Sequence, residues 1–236
     1  MLGVLESATQ LPLWAALAAS YLLGAVPFGL LTVRMVKGVD LRSVGSGNIG
    51  ATNAMRVLGK PLGLMVFLLD CFKGYAAAGL LAPLVAAGGA LGPVAVALSC
   101  GAAAVLGHCF PVYLGFRGGK GVATACGALI ALDPLLFAVG GLVWLATLKA
   151  TRYVGLASVL MGVSFPITAA VRHPGDRPLL YGMLGLALLI VVRHRSNLAR
   201  LLRGEEPKTG GPGPGAVSAN SASVAGTEDP PAQTPA

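Results

Sequence analysis

The sequence predicts an all-α polytopic membrane protein with about seven transmembrane helices, an external N-terminus and a cytoplasmic C-terminus. Three observations support this fold class. Of the 236 residues, 55% are hydrophobic and only 11% are charged, whereas a soluble domain carries about 25% charged residues. The apolar residues form long runs, and the basic residues collect in alternate connections between those runs.

Most of the apolar runs have the length of one membrane-spanning helix, about 20 residues. They lie at residues 11–33, 61–82, 92–110, 122–148, 154–171 and 178–192. The run 122–148 contains Asp133-Pro134, a pair that interrupts helices. This run therefore forms either one helix, which gives six spans, or two short helices, which give seven.

The distribution of positive charge distinguishes six spans from seven. With seven spans, 14 Lys and Arg residues fall on one face and only Arg172 and Arg177 fall on the other. With six spans, the same residues divide 9 against 7. Because cytoplasmic segments are enriched in Lys and Arg, we predict seven spans. The net charge of +8 is then a signal of topology rather than of nucleic-acid binding.

The composition divides the chain into two parts. Residues 1–203 carry all the apolar runs and are predicted to form one helical membrane domain. From residue 204 the chain is rich in Gly, Pro, Ser and Ala, a composition typical of disorder. Residues 204–236 are therefore predicted to be a disordered cytoplasmic tail.

A polar, glycine-rich segment runs from Gly45 to Arg56 and reads Gly-Ser-Gly-Asn-Ile-Gly-Ala-Thr-Asn-Ala-Met-Arg. An apolar membrane chain keeps such a segment where backbone lines a polar cavity. The glycines match the dinucleotide fingerprint, but that site requires a preceding strand, and here a predicted span stands on each side. The segment instead indicates another anion site, because an arginine fork suits phosphate or carboxylate.

A second anion site is predicted at Phe116-Arg-Gly-Gly-Lys-Gly121, which precedes the next apolar run. Free N–H groups at the start of a helix attract anions, and Lys120 adds a full charge. The segment is not a phosphate-binding Walker loop, because Leu114 and Gly121 stand where that loop needs Gly and Ser or Thr. Arg117 alone is better explained as part of a basic cytoplasmic loop.

Other polar residues leave two interpretations open. Asp70 and Lys73, three residues apart within a span, are either a structural pair or a functional one. His108, at the end of a span, is alone more typical of a structural histidine. The four cysteines lie in or beside apolar runs, and the carboxylates form no cluster, so neither metal nor cofactor is predicted.

Four motifs resemble those of the bacterial acyl-phosphate:glycerol-3-phosphate acyltransferases of the PlsY type. They lie at Ser46–Arg56, Gly107–Thr124, Thr151–Ser158 and His194–Arg200. The resemblance, which covers about residues 11–206, implies a seven-span enzyme of the bacterial inner membrane with its active site on the cytoplasmic face. This enzyme would move a fatty acyl group from acyl phosphate to the 1-hydroxyl of sn-glycerol 3-phosphate, giving lysophosphatidic acid and phosphate for phospholipid synthesis.

The resemblance also implies residue roles and partners. The catalytic residues would be Ser46, Arg56, Lys120 and His194. The substrate-binding residues would be Asn48, Thr52, Asn53, His108, Gly118, Gly119, Gly121, Ser158 and Asn197. The partners would be glycerol 3-phosphate, long-chain acyl phosphate and membrane lipid, without nucleic acid, metal or cofactor. The base is either His194 or a phosphate oxygen of the substrate.

Two other functions compete with this prediction. A transporter for organic phosphates would place its site near the bilayer midplane, between inverted repeats. Here the polar motifs lie at one face and no repeat stands out. A noncatalytic subunit would use its glycines only for helix packing, which gives no reason for a lysine between glycines at position 120.

Overall fold

In the computed structural model, residues 10–85 and 91–210 are described. This part of the chain is helical. Its α-helices are α1 (Leu13–Ala25), α2 (Phe28–Lys37), α3 (Ala51–Leu58), α4 (Lys60–Tyr75), α5 (Pro93–Cys109), α6 (Val122–Leu132), α7 (Pro134–Thr151), α8 (Val154–Arg172), α9 (Arg177–Arg193) and α10 (Arg195–Leu202). A π-helical turn, Ala76–Leu81, extends α4.

Five helical stretches of the described residues are long and apolar enough to cross a membrane. They are Leu13–Lys37, Lys60–Leu84, Pro93–Leu114, Pro134–Thr151 and Val154–Arg172. The pair α9 and α10, bent by 55°, can form a sixth, and α6 is a shorter apolar helix. The all-helical membrane fold is thus confirmed, whereas seven crossings and the orientation of the termini stay predictions.

The apolar run 122–148 forms two helices, as one of its two interpretations predicted. Helix α6 ends at Leu132 and α7 begins at Pro134. The Asp133 carboxylate between them accepts a hydrogen bond of 2.9 Å from the Leu135 N–H and so caps α7. Asp133 also binds Arg172 and His173, each at 2.7 Å, at the end of α8. The α6–α7 turn and the end of α8 therefore lie at the same end of the bundle.

Glycines bring two pairs of helices into close contact. A side chain at Gly24 or Gly107 would overlap backbone carbonyls across the α1–α5 contact. A side chain at Gly74 or Gly127 would do the same across the α4–α6 contact. Small residues let membrane helices approach this closely. These contacts set α6 against α4 and α1 against α5.

A buried polar cluster joins α1, α4 and α5. The Lys73 ammonium lies 2.9 Å from Asp70 Oδ1 and donates a hydrogen bond of 3.0 Å to the Val26 carbonyl at the end of α1. It also lies 2.9 Å from His108 Nδ1. Asp70 and Lys73 are 1% and 0% exposed. A charge buried this deeply requires partners, and the contacts support the structural interpretation of this pair.

The first residues of the predicted tail lie against the helices. We call residues 205–209 the C-terminal strap. Its Glu206 is buried and bonded to α10, and Thr209 exchanges hydrogen bonds with Arg152 between α7 and α8. The composition of the tail does not reveal these contacts, because they depend on two polar side chains. The rest of the predicted tail, residues 211–236, lies outside the described residues.

We expect Lys73→Met to lower the free energy of unfolding by about 3 to 5 kcal/mol, because it leaves the buried Asp70 carboxylate unpaired. Thermal unfolding in detergent, followed by circular dichroism, measures this loss. The double variant Asp70→Leu/Lys73→Met should lose less, since it removes both charges. Lys60→Met, at the exposed start of the same helix, is the control. Equal losses for Lys60→Met and Lys73→Met would contradict the assignment.

Candidate functional site

The candidate site is built around the glycine turn 118–121, which α5 and α9 hold from two sides. The Gly119 N–H donates a hydrogen bond of 3.0 Å to the carbonyl of His108 on α5. The Arg193 guanidinium, at the end of α9, donates to the Gly118 carbonyl at 2.9 Å and to the Gly119 carbonyl at 3.0 Å. A side chain at Gly119 would overlap the His108 imidazole. The turn therefore requires glycine at this position.

The way the turn is held leaves other backbone donors free. Gly121 has φ +81° and caps the start of α6, a conformation that suits glycine. Within the described residues, the N–H groups of Gly118, Lys120 and Gly121 have no acceptor. These donors, together with the start of α6, favour a bound anion. The Gly119 N–H, by contrast, is occupied by His108.

The first motif folds into a loop that Asn53 ties together. The Asn53 side chain, which is 1% exposed, accepts from the Ser46 N–H and donates to the carbonyls of Leu41, Val44 and Asn48. Asn48 in turn accepts from the Gly50 N–H at 2.9 Å. Both ends of the Asn53 amide are thus bonded within the loop, so Asn53 fixes the shape of the loop. Asn48 uses only its side-chain oxygen there, and its side-chain nitrogen has no partner in the described part of the chain.

Three side chains of the same motif point outward. Ser46, Thr52 and Arg56 are exposed, and their side chains have no hydrogen-bond partner within residues 10–85 and 91–210. Thr52 and Arg56 lie on α3, one turn apart, so they share a face of that helix. A hydroxyl and a guanidinium on one face can bind the same anion.

Lys120 joins the second motif to the last one. Its ammonium, which is half-buried, donates a short hydrogen bond to Oδ1 of Asn197 on α10. Burial lowers the pKa of Lys120 to about 8, and the charges of Arg56 and Arg193 act in the same direction. The third motif contributes Gly155, where a side chain would crowd Asn197. The structure thus brings Lys120, Asn197 and Arg56 into one region.

His194 is buried at the break between α9 and α10. Its Nδ1 donates to the Ile190 carbonyl at 2.8 Å, which leaves Nε2 as the acceptor nitrogen. Burial, followed by the positive charge of Lys120, lowers the pKa of His194 to about 4. His194 is therefore neutral at pH 7 and is a weak base there.

Two predicted site residues lie deeper than the others. Ser158 is buried in α8, and its hydroxyl donates to the Val154 carbonyl at 2.9 Å. His108 is buried beneath the glycine turn, where it meets Lys73 and Gly119. Ser158 lies one turn below Gly155, and His108 acts on the site through the turn that it holds.

A polar cavity of about 570 Å³ adjoins the glycine turn. It is lined by Arg42, Gly47, Ile49, Phe116, Arg117, Gly118 and Arg193. The first and second motifs therefore meet at this cavity, and three guanidinium groups border it. Arg42 is paired with Asp40 at 2.6 Å, whereas the Arg117 side chain has no partner in the described part of the chain.

An apolar groove of about 560 Å³ runs between α5, α6 and α9. Its lining is mostly Leu and Val, with small residues such as Gly101, Ala102 and Gly185 between them. The groove includes Val105, whose side chain would lie 3.0 Å from a Cβ at Gly121. Its end thus reaches the glycine turn, one residue from Lys120.

Sequence reasoning missed three residues of the site. Arg193 and Arg42 were assigned only to the basic cytoplasmic face, and Glu206 only to the tail. The family motifs offered a weak signal for Arg193, which directly precedes His194. No signal pointed to Glu206, because its role depends on contacts with Asn197 and Arg200. Across the described residues, no group of three or more His, Cys, Asp or Glu side chains could hold a metal ion.

A family model described as glycerol-3-phosphate acyltransferase matches residues 14–204. The chain is 46% identical over 189 residues to the glycerol-3-phosphate acyltransferase of Desulforudis audaxviator, covering 80% of this chain and 91% of the relative. It is 41% identical over 196 residues to that of Staphylococcus saprophyticus, covering 81% and 95%.

Two solved structures are also similar. One is the crystal structure of PlsY, an integral membrane glycerol 3-phosphate acyltransferase, in its glycerol 3-phosphate form. The TM-score is 0.77 at 40% identity, over 84% of this chain and 96% of that one. The lysophosphatidic acid form of PlsY gives a TM-score of 0.73 at 36% identity, over 83% and 94%.

We expect Gly119→Ala to lower the free energy of unfolding by about 1 to 3 kcal/mol, because the methyl group collides with the His108 imidazole. Thermal unfolding in detergent measures the change. Gly141→Ala, inside α7 where a methyl group meets open space, is the control and should be no less stable than the wild type. A Gly119→Ala protein as stable as the control would show that the turn is not held tightly.

Proposed function

Because the chain belongs to the glycerol-3-phosphate acyltransferase family, as its motifs predicted, we propose that it moves a fatty acyl group from acyl phosphate to the 1-hydroxyl of sn-glycerol 3-phosphate. The products are lysophosphatidic acid and inorganic phosphate. One observation carries this proposal: the glycine turn lies between cationic groups and the end of an apolar groove. The cationic groups suit two phosphate-bearing substrates, and the apolar groove suits the acyl chain that one of them carries.

The cationic groups explain how two anions can meet. Both substrates carry phosphate, and their repulsion must be offset before reaction. Glycerol 3-phosphate binds at Arg56 and Lys120, with the hydroxyl groups of Ser46 and Thr52 as further donors and His194 and Asn197 beside them. The charge of Arg56 contributes to lowering the pKa of Lys120, which supports placing the two cations in one phosphate site.

The acyl phosphate occupies the other parts of the site. Its apolar chain lies in the groove between α5, α6 and α9, where burial of each CH₂ contributes about 0.8 kcal/mol. Its phosphate head lies at the glycine turn, with Arg117 and the free N–H groups of Gly118, Lys120 and Gly121 as donors. The groove ends beside Gly121, so the head and the chain are continuous.

The reaction itself needs little from the protein beyond positioning. The glycerol O1 atom attacks the acyl carbonyl carbon, the bond from that carbon to the phosphate oxygen breaks, and phosphate leaves with the electron pair. The free N–H groups of the turn stabilise the oxyanion of the tetrahedral intermediate. Holding both substrates in line supplies much of the remaining rate.

The proton of the glycerol hydroxyl goes to a phosphate oxygen of the substrate. His194 is the alternative base, but its pKa of about 4 makes it a poor proton acceptor at pH 7. A phosphate monoester has a second pKa of about 6 in water. The cations that hold the phosphate lower this value, so its advantage over His194 is its position beside the attacking hydroxyl. His194 then serves to bind substrate through Nε2, and Lys120 neutralises the charge on the phosphate.

The orientation of the enzyme follows from the basic residues around the site. We place the glycine turn, the first motif and α10 on the cytoplasmic face, with seven crossings and an external N-terminus. The helix break at Asp133 and the contacts of Asp133 with Arg172 and His173 support this topology, since all three then lie outside. The protein is then a multi-pass enzyme of the bacterial inner membrane.

An assay with purified protein, palmitoyl phosphate and labelled glycerol 3-phosphate, without added metal, measures lysophosphatidic acid. We expect wild-type turnover, and a loss of about 100-fold in kcat/KM for Lys120→Ala and for Arg56→Ala, because each removes a cation from the phosphate. Lys149→Ala, on the exposed end of α7, is the control and should behave as wild type. An inactive wild type would refute acyl transfer, and transport of the labelled substrate into vesicles would favour a transporter.

The pH dependence of the same assay tests the state of Lys120. The lysine is charged below its pKa of about 8 and neutral above it. Because the charged form binds phosphate, kcat/KM for glycerol 3-phosphate should fall as the pH rises through about 8. A profile that stays flat well above that pH would show that the charge of Lys120 is not needed.

The groove can be tested through its glycines. Gly185 lines the groove, and a side chain there would meet open space. Gly185→Leu should fill part of the groove and change the ratio of kcat/KM for palmitoyl over lauroyl phosphate by about tenfold, in favour of the shorter chain. Gly141→Leu, at another open position on α7, should leave the ratio unchanged. Equal ratios in both variants would place the acyl chain elsewhere.

A further inference from the structure

Glu206, in the C-terminal strap, is a buried carboxylate beside the candidate site that the proposed reaction does not use. It is 8% exposed, although the strap lies at the edge of the helical domain. Its Oε1 accepts from Nδ2 of Asn197 at 2.6 Å, and its Oε2 accepts from Nε of Arg200 at 2.7 Å. Both carboxylate oxygens therefore have a partner on α10.

Lys120 and Glu206, the two hydrogen-bond partners of the Asn197 side chain, allow its amide only one orientation. A lysine ammonium only donates hydrogen bonds, so it must meet the amide oxygen. An ionised carboxylate only accepts them, so it must meet the amide nitrogen. Lys120 on one side and Glu206 on the other satisfy both demands. Without the carboxylate, either end of the amide could face the strap, and the oxygen would no longer be held on Lys120.

The position of Glu206 is itself fixed by its surroundings. The Glu205 N–H donates to the Arg200 carbonyl at 2.8 Å at the end of α10. Four residues after Glu205, the Thr209 N–H donates to the Arg152 carbonyl at 2.8 Å, and Arg152 Nη2 donates to the Thr209 carbonyl at 2.8 Å. The strap thus connects the α7–α8 turn with α10. These bonds hold the carboxylate below Asn197.

We propose that Glu206 is a positioning residue of this acyltransferase, which fixes the Asn197 amide with its oxygen on Lys120. The proposal rests on the function proposed above and adds to it a residue that lies beyond the region 14–204 matched by the family model. Glu206 does not touch the substrate in this scheme. It acts through Asn197, and its charge acts on Lys120.

The expected effect follows from what glutamine changes. In Glu206→Gln the side chain keeps its size but gains a donor, so the Asn197 amide can adopt either orientation. We expect kcat/KM for glycerol 3-phosphate to fall about tenfold or more, as misplacement of a binding group does. Glu206→Asp keeps the charge and should recover part of this loss. Glu205→Gln, an adjacent exposed glutamate paired with Arg203, is the matched control and should behave as wild type.

A double-variant cycle shows whether Glu206 acts through Asn197. The rates are compared at about pH 6, where Lys120 is charged with or without Glu206. If Asn197→Ala is combined with Glu206→Gln there, the double variant should be no slower than Asn197→Ala alone, because the group that Glu206 positions is gone. If the loss in kcat/KM of the double variant equals the product of the two single-variant losses, the proposal is wrong. Thermal unfolding of each variant in detergent identifies any that does not fold, and in that case the comparison between Glu206→Asp and Glu205→Gln decides.

The pH profile adds a readout that a purely structural role would not change. Lys120 is surrounded by Glu206, which raises its pKa, and by Arg200, Arg56 and Arg193, which lower it. His194 beside it is neutral. When Glu206 loses its charge, the Lys120 ammonium is less stable, so the alkaline limb of kcat/KM should move to lower pH by about one pH unit.

The outcomes separate this proposal from the proposed function. An inactive wild type would refute the acyl transfer itself. An active wild type with Glu206→Gln equal to Glu205→Gln in rate and pH profile would refute the positioning role alone. A Glu206→Gln protein with a lower KM for glycerol 3-phosphate and unchanged kcat would also refute it, because Glu206 would then compete with the substrate phosphate.

Discussion

Hydrogen bonds with α5 and with the end of α9 fix the conformation of the glycine turn at 118–121. The His108 carbonyl accepts a hydrogen bond from the Gly119 N–H, and the His108 imidazole fills the space that a side chain at position 119 would need. The Arg193 guanidinium donates hydrogen bonds to the carbonyls of Gly118 and Gly119. With its carbonyls bound on one side, the turn keeps three of its N–H groups free. An anion site made of backbone donors needs this arrangement, since carbonyl oxygens facing the same space would repel the ligand.

The buried charges are balanced by charges of opposite sign, whereas the charges around the glycine turn are not. Inside the bundle, Lys73 is matched by Asp70 and surrounded by acceptors, so this ion pair carries no net charge. Around the turn, the cations Arg56, Lys120 and Arg117 exceed the carboxylates, of which Glu206 is the nearest to Lys120. Apolar surroundings tolerate the first arrangement because it is neutral. The second is stable only where water or a ligand supplies the missing negative charge, which is what a phosphate site requires.

The sequence predicted the helical membrane fold, the break at Asp133 and the four motifs that meet in space, because hydropathy, proline and glycine patterns act locally. It did not predict which polar side chains are available to a ligand and which bond to the protein itself. Asn53 and Ser158 carry the groups of binding residues, yet their side chains bond to backbone groups of neighbouring residues such as Leu41 and Val154. Arg193 and Glu206 matter through partners some 75 and 9 residues away, Gly118 and Asn197. Such choices depend on tertiary proximity, which residue types and spacing do not encode.

The spacing of Asp70 and Lys73 has a consequence for biogenesis. A lone Asp or Lys at the centre of a helix costs about 2.5 to 3.5 kcal/mol when the translocon releases that helix into lipid. Here both charges lie on α4, three residues apart, and form their ion pair within one helix. The segment can therefore leave the translocon already neutralised, before α1 and α5 are in place to supply Val26 and His108. Had the two charges been on separate helices, each would have entered the bilayer alone, and insertion would have had to wait for assembly.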